Sequence, residues 1–167
     1  MKLKAEYIFD ADMDRTLEVC VTNTIGNVQY FKESMQNVSS VKLLERKDYP
    51  DGKIFVRMEF CAHGQIPKAV QHLLKPEMLT WQEISTWDPA TKRYNFDIKP
   101  HYFSNVFSCK GYWGYEVKGP KKTSQYCIGN LDIKIPIFGP IIEKAIWPNL
   151  EKNWQESYLK TKKKFNI

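Results

Sequence analysis

Leu3, Ala5, Tyr7 and Phe9 fall on one face of residues 3–9, with Lys4 and Glu6 on the other, which is the two-residue period of a strand. Asp10-Ala11-Asp12 ends the alternation. Asp12 is placed to cap a helix, because its carboxylate can accept from a backbone N–H left unpaired in the first turn. Asp14 then suits the positive end of that helix. Met13, Leu17, Cys20 and Val21 recur at helical spacing, and after Gly26 a second short helical pattern carries Val28, Phe31 and Met35.

From Val38 the period returns to two. Residues 41–46 read as a strand and Tyr49-Pro50-Asp51-Gly52 as a turn. The next strand sets Ile54, Val56, Met58 and Phe60 on one face, with Lys53, Arg57 and Glu59 near or on the other. Residues 66–74 read as a short helical crossover or loop. Residues 79–87 are strand-like, Asp88-Pro89-Ala90-Thr91 is a turn, and Tyr94, Phe96 and Ile98 alternate with Asn95, Asp97 and Lys99. Residues 106–117 alternate through Phe107, Cys109, Gly111, Trp113, Tyr115 and Val117, a turn follows at 119–122, and residues 123–135 close the series on Leu131, Ile133 and Ile135. Such regular strand and turn spacing predicts an antiparallel meander.

Pro136 and Gly139-Pro140 end the sheet, and a proline at the first helical position is preorganised to start a helix. Ile142, Ile146, Leu150, Trp154 and Tyr158 then predict a long amphipathic helix reaching Phe165. Pro148 lies inside it and is expected to kink its first turns. The fold class is therefore α+β: a strongly curved antiparallel sheet of about seven strands, two short helices after the first strand, and the long C-terminal helix over the concave face. A helix only about 10 Å across cannot fill so wide a concavity, so large side chains or a ligand must occupy it.

Composition sharpens this picture in places. With 167 residues the chain reads as a single domain, 1–167. Aromatic residues are 14% of it, enough to ask what the rings line. The residues expected to face a ligand are Met58, Trp81, Tyr94, Phe96, Phe107, Trp113, Tyr115, Ile142, Ile146 and Trp154. A bilayer span needs about 20 apolar residues and no run approaches that. The N-terminus has basic residues without a following apolar stretch, so no secretory signal is expected and the reading is cytoplasmic. Cys20, Cys61, Cys109 and Cys127 share no Cys-x-x-Cys spacing and read as reduced thiols. The net charge of +6 includes Lys160, Lys162, Lys163 and Lys164. Cations there offset the helix dipole. Followed by Phe165 and Ile167, they also predict weak, salt-sensitive contact with an anionic membrane.

Chemical motifs are mostly rejected. Residues 10–14 open like a calcium loop, but Arg15 and Val21 stand where glycine and glutamate are required. Residues 110–115 carry a basic, Gly, aromatic pattern like that of an RNA-recognition strand, yet Trp113 occupies the small position and the strand order is wrong, so no nucleic acid is expected. Among His63, His72 and His101, only His63 lies near a cysteine, Cys61, and nothing completes a metal site. No metal or cofactor is expected. Asp97, Lys99, His101 and Tyr102 form a polar cluster at a strand end, which an acid–base enzyme could use at a pocket mouth.

The element order resembles the START-like, or helix-grip, superfamily of polyketide cyclases and lipid-transfer proteins. Residues 7–15, Tyr7-Ile8-Phe9-Asp10-Ala11-Asp12-Met13-Asp14-Arg15, look like its first strand running into a capped helix. Residues 136–143, Pro136-Ile137-Phe138-Gly139-Pro140-Ile141-Ile142-Glu143, look like the approach to its C-terminal helix, most like bacterial members of unassigned function. The resemblance implies a hydrophobic cavity under that helix and transfers no catalytic residue. Two functions follow as expectations: non-enzymatic binding or transport of a hydrophobic small molecule or lipid, and, as the alternative, a cyclase or dehydratase acting in the same cavity.

Overall fold

The computed structural model describes residues 1–35, 38–62 and 79–167, without the side chains of Ala145 and Asn149. Residues 66–74, His63 and His72 lie outside the described residues. The first strand, β1 (Lys2–Phe9), leads into α1 (Met13–Leu17), whose N-terminus is capped as expected: the Arg15 N–H donates to Asp12 Oδ1 at 2.8 Å. A π-helical turn over Glu18–Thr22 extends α1, and α2 (Val28–Ser34) begins at Asn27, whose Oδ1 accepts from the Tyr30 N–H at 3.1 Å.

Six further strands follow: β2 (Val38–Asp48), β3 (Ile54–Ala62), β4 (Thr80–Asp88), β5 (Arg93–Pro100), β6 (Phe107–Gly119) and β7 (Lys122–Ile133). They make one open antiparallel sheet in the order β1-β7-β6-β5-β4-β3-β2, so that β2 to β7 form the expected meander and β1 closes onto β7. Directly paired residues share a face. The pairs Phe60 with Trp81, Ser85 with Phe96, Tyr94 with Trp113, and Tyr115 with Gln125 therefore point the same way, into the concave side.

The last helix, α3 (Gly139–Phe165), has a proline in its first turn and runs through Pro148 without interruption. Ile146, Trp147, Leu150 and Trp154 pack on Leu3, Phe96, Cys109 and Leu131 on both sides of the proline, and this burial holds the halves in one helix. Asn166, left-handed at φ 53°, turns the chain so that the Ile167 N–H donates to Lys162 O at 3.3 Å. Ile167 is 7% exposed and packs with Phe9, Ala11 and Val19, and Phe165 lies against the same cluster. Of the two apolar residues expected to enter a membrane interface, Ile167 is buried and Phe165 is partly buried. Lys162 pairs with Asp10 at 2.7 Å and Lys164 with Glu33 at 3.5 Å.

The core is divided. One cluster joins Val21, Ile25, Val41, Val56, Met58, Phe60, Trp87 and Tyr115 beneath α1 and α2. Another joins Leu3, Phe96, Cys109, Cys127, Leu131 and Ile133 beneath α3. Gly111 and Gly129 face each other across β6 and β7 within the second. A Cβ on Gly111 would stand 2.5 Å from Ile128 O and 2.8 Å from Phe96 Cζ, so the missing side chain is what lets the Phe96 ring lie over the sheet.

Candidate functional site

Where the two clusters meet, the sheet and α3 leave a cavity of about 220 Å³. Ile25, Phe60 and Tyr115 reach it from one cluster and Leu3, Phe96 and Cys109 from the other. Trp154 of α3 forms part of its wall and meets Trp113 edge-on, with ring centroids 4.9 Å apart. Phe60 and Trp81 stack at 5.4 Å on the opposite wall.

The lining carries one carboxyl group, Glu83, among the described residues. Ser85 Oγ donates to Glu83 Oε1 at 2.7 Å and Tyr94 Oη donates to the same oxygen at 3.3 Å. Part of the Glu83 surface is accessible, but it borders the cavity, and burial raises its pKa against the lowering effect of the bonds from Ser85 and Tyr94. Burial also pushes the Tyr94 and Tyr115 phenols well above their ordinary range, and the Cys20 and Cys109 thiols up to about 12. Gln125 Nε2 donates to Tyr115 Oη at 2.8 Å, a second polar point in the wall.

A shallow groove between α2 and the end of α3 adjoins the cavity, and Tyr30, Ser34 and Thr161 border both. Tyr30 Oη is bonded to Ser157 Oγ at 3.1 Å and Thr161 Oγ1 at 3.3 Å, which ties α2 to α3 at this place. Ser34 Oγ is buried there without a hydrogen-bond partner. Lys160, Lys163 and Lys164 edge the groove.

Trp81, Tyr94, Phe96, Trp113, Tyr115 and Trp154, all anticipated as ligand-facing, lie on the cavity wall. Met58, Phe107, Ile142 and Ile146 do not: Met58 is buried in the first core cluster, and the other three pack on the second. Asp97, Lys99, His101 and Tyr102, weighed as an acid–base group, are also absent from the lining. Asp97 sits on the convex face, paired with Lys99 and Lys110 at 3.1 Å each, and His101 meets Glu59 at 3.0 Å. The strand period explains the correction, since Asp97 and Lys99 take the phase opposite to Phe96 and Ile98. Glu83 and Gln125 were not anticipated. The signal for Glu83 is present in the sequence: it shares the two-residue phase of Trp81, Ser85 and Trp87, an acid on an otherwise inward face.

A family profile described as "Protein of unknown function (DUF2505)" matches residues 7–163. The chain belongs to this family. No curated protein matches the sequence. Solved structures give the wider relationship. A START superfamily protein from Mycobacterium smegmatis is 13% identical, with a TM-score of 0.62 over 97% of each chain. The Zhui aromatase/cyclase from Streptomyces sp. R1128 is 13% identical, with a TM-score of 0.64 over 97% of this chain and 93% of that one. Norcoclaurine synthase from Thalictrum flavum, solved with dopamine and hydroxybenzaldehyde, is 12% identical, with a TM-score of 0.67 over 96% and 84%. At such identities the likeness shows the fold alone, a helix-grip fold, for this DUF2505 chain, and that fold hosts more than one activity. Among the described residues no helix is long and apolar enough to cross a membrane, and no cluster of His, Cys, Asp or Glu is arranged to hold a metal.

Proposed function

We propose that this protein binds or carries a hydrophobic small molecule or lipid in the cavity between the sheet and α3. The observation that carries the reading is the cavity itself, set between the two core clusters and walled by Leu3, Phe60, Trp81, Phe96, Trp113 and Trp154. A close-packed interior does not leave such a space without loss of contact energy, and an apolar ligand restores those contacts. Native mass spectrometry of gently purified protein, followed by solvent extraction, tests it. An apolar molecule retained by the protein is expected. A chain that neither retains nor takes up any apolar compound would falsify the reading.

One observation favours a second function, an acid–base enzyme of the cyclase or dehydratase type. Glu83 places an ionisable carboxyl group on the cavity wall, where it can exchange a proton with a bound carbonyl compound. The structural relatives include an aromatase/cyclase. Turnover would show as extracted compound that is chemically altered by the wild-type protein and unaltered by Glu83→Gln. Identical recovery from both counts against the enzyme.

A further inference from the structure

Among its described lining residues the cavity holds an acid and no base: there is no Lys, Arg or His to balance Glu83. The described titratable groups that share the cavity with it are phenols and thiols: Tyr94 on β5, Cys109 and Tyr115 on β6, Tyr7 on β1, Cys20 after α1, Tyr30 on α2 and Tyr158 on α3. Its cross-strand partners, Met58 on β3 and Ile98 on β5, are apolar. Burial raises Tyr7 and Cys20 to about 12 and holds Tyr94 and Tyr115 well above 10, so these groups are uncharged when Glu83 titrates. A carboxyl group enclosed without a cation takes up a proton rather than remain charged.

The hydrogen bonds decide which oxygen carries that proton. Oε1 already accepts from Ser85 Oγ and Tyr94 Oη. It therefore acts as the carbonyl oxygen of a neutral acid, and the proton resides on Oε2. A carboxylic O–H on the cavity wall can donate to an acceptor atom of a ligand held there, and that bond adds to the ligand's affinity.

Resting on the ligand-binding reading above, we propose that Glu83 is the polar anchor of the cavity, donating through Oε2 to hydrophobic ligands that end in an uncharged acceptor such as a ketone, aldehyde or ester carbonyl. Ser85 and Tyr94 act as positioning residues that fix the carboxyl plane. Two ligand classes are disfavoured on the same grounds. A hydrocarbon end offers the donor no acceptor, and an ammonium end requires the carboxylate form.

Three naphthalenes of similar size separate these cases: 2-acetylnaphthalene with a ketone, 2-ethylnaphthalene with neither donor nor acceptor, and 2-(aminomethyl)naphthalene with a cation. Binding is read from quenching of the tryptophans on the cavity wall and from calorimetry, between about pH 5 and pH 8. The ketone is expected to bind about five- to tenfold more tightly than the hydrocarbon at acid pH, the ratio that one net hydrogen bond supplies. That ratio should fall as rising pH ionises Glu83. Glu83→Gln keeps a donor and should keep the preference while losing its pH dependence. Glu83→Leu should bring the ratio to about one. Thermal melts of both variants confirm folding. Equal affinity for ketone and hydrocarbon in the wild type, or preference for the amine, overturns the anchor and leaves the cavity reading standing. Failure of all three compounds to bind overturns the cavity reading and the anchor with it.

Discussion

Replacing Glu83 with Gln should make the protein more stable at neutral pH and change how its stability depends on pH. Burial raises the folded-state pKa of Glu83 above the ordinary 4.5. The folded chain therefore binds more protons at this site than the unfolded chain does. Stability from the neutral acid is fully present below the unfolded value and is lost as pH rises through the raised folded value. Within that window the slope for one proton approaches about 1.4 kcal/mol per pH unit. For a domain of this size about 1 kcal/mol moves Tm by roughly 2–4 °C, so the slope corresponds to about 3–6 °C per pH unit. Glu83→Gln keeps the shape and the acceptor for Ser85 and Tyr94 but cannot ionise. The assay is Tm from circular dichroism at about half-unit steps between pH 4 and pH 8, taken as the difference between wild type and variant. The difference is necessary because exposed carboxyl groups such as Asp10, held low by Lys162, and Glu33, held low by the hydrogen bond from Gln29 and by Lys164, act in the opposite direction and cancel only between the two proteins. Wild type should lose ground steadily above about pH 4.5 until the folded Glu83 titrates, then run parallel. A difference that is flat across the range, or that favours wild type as pH rises, refutes the claim that an enclosed, unbalanced acid lies in the cavity.

Gly111→Ala drives a Cβ to within 2.5 Å of Ile128 O and 2.8 Å of Phe96 Cζ, and should destabilise the protein by about 1–3 kcal/mol in chemical denaturation, with displacement of Phe96 from the cavity wall. Tyr30→Phe removes the bonds to Ser157 and Thr161 and should cost about 1 kcal/mol, with faster amide exchange in α2 and faster release of a bound apolar probe by stopped-flow fluorescence. Ile167→Ser places a hydroxyl among Phe9, Ala11 and Val19 and should lower stability by about 2 kcal/mol, measured by urea titration; an unchanged midpoint would show that the C-terminal turn is not packed.

Local periodicity determined most of the architecture. Alternation over residues 3–9 and 54–60, the turns at 49–52 and 88–91, and the spacing from Ile142 to Tyr158 are near-neighbour signals, and they give β1, β3, their turns and α3 with the order of the meander. The caps are equally local: Asp12 needs only the N–H of Arg15. The same period, followed strictly along residues 81–87 and 94–99, puts Glu83 inside and Asp97 outside, so even the acid was legible as an inward position. What the period cannot supply is distance across the interior. Phe107, Ile142 and Ile146 have the same apolar character as Trp113 and Trp154, and all five pack on the second cluster, yet only the two tryptophans also reach the cavity. The helix register on the sheet decides this, and contacts made far apart in sequence set that register. The chain end shows the same limit. Lys162 to Ile167 looks like a basic, apolar tail, but a left-handed Asn166 folds Ile167 back onto Phe9, Ala11 and Val19, residues from the opposite end of the chain. The cavity is likewise a tertiary result: its lining comes from β1, α2, β3 to β7 and α3, elements far apart in sequence, and no local period fixes the space left between them.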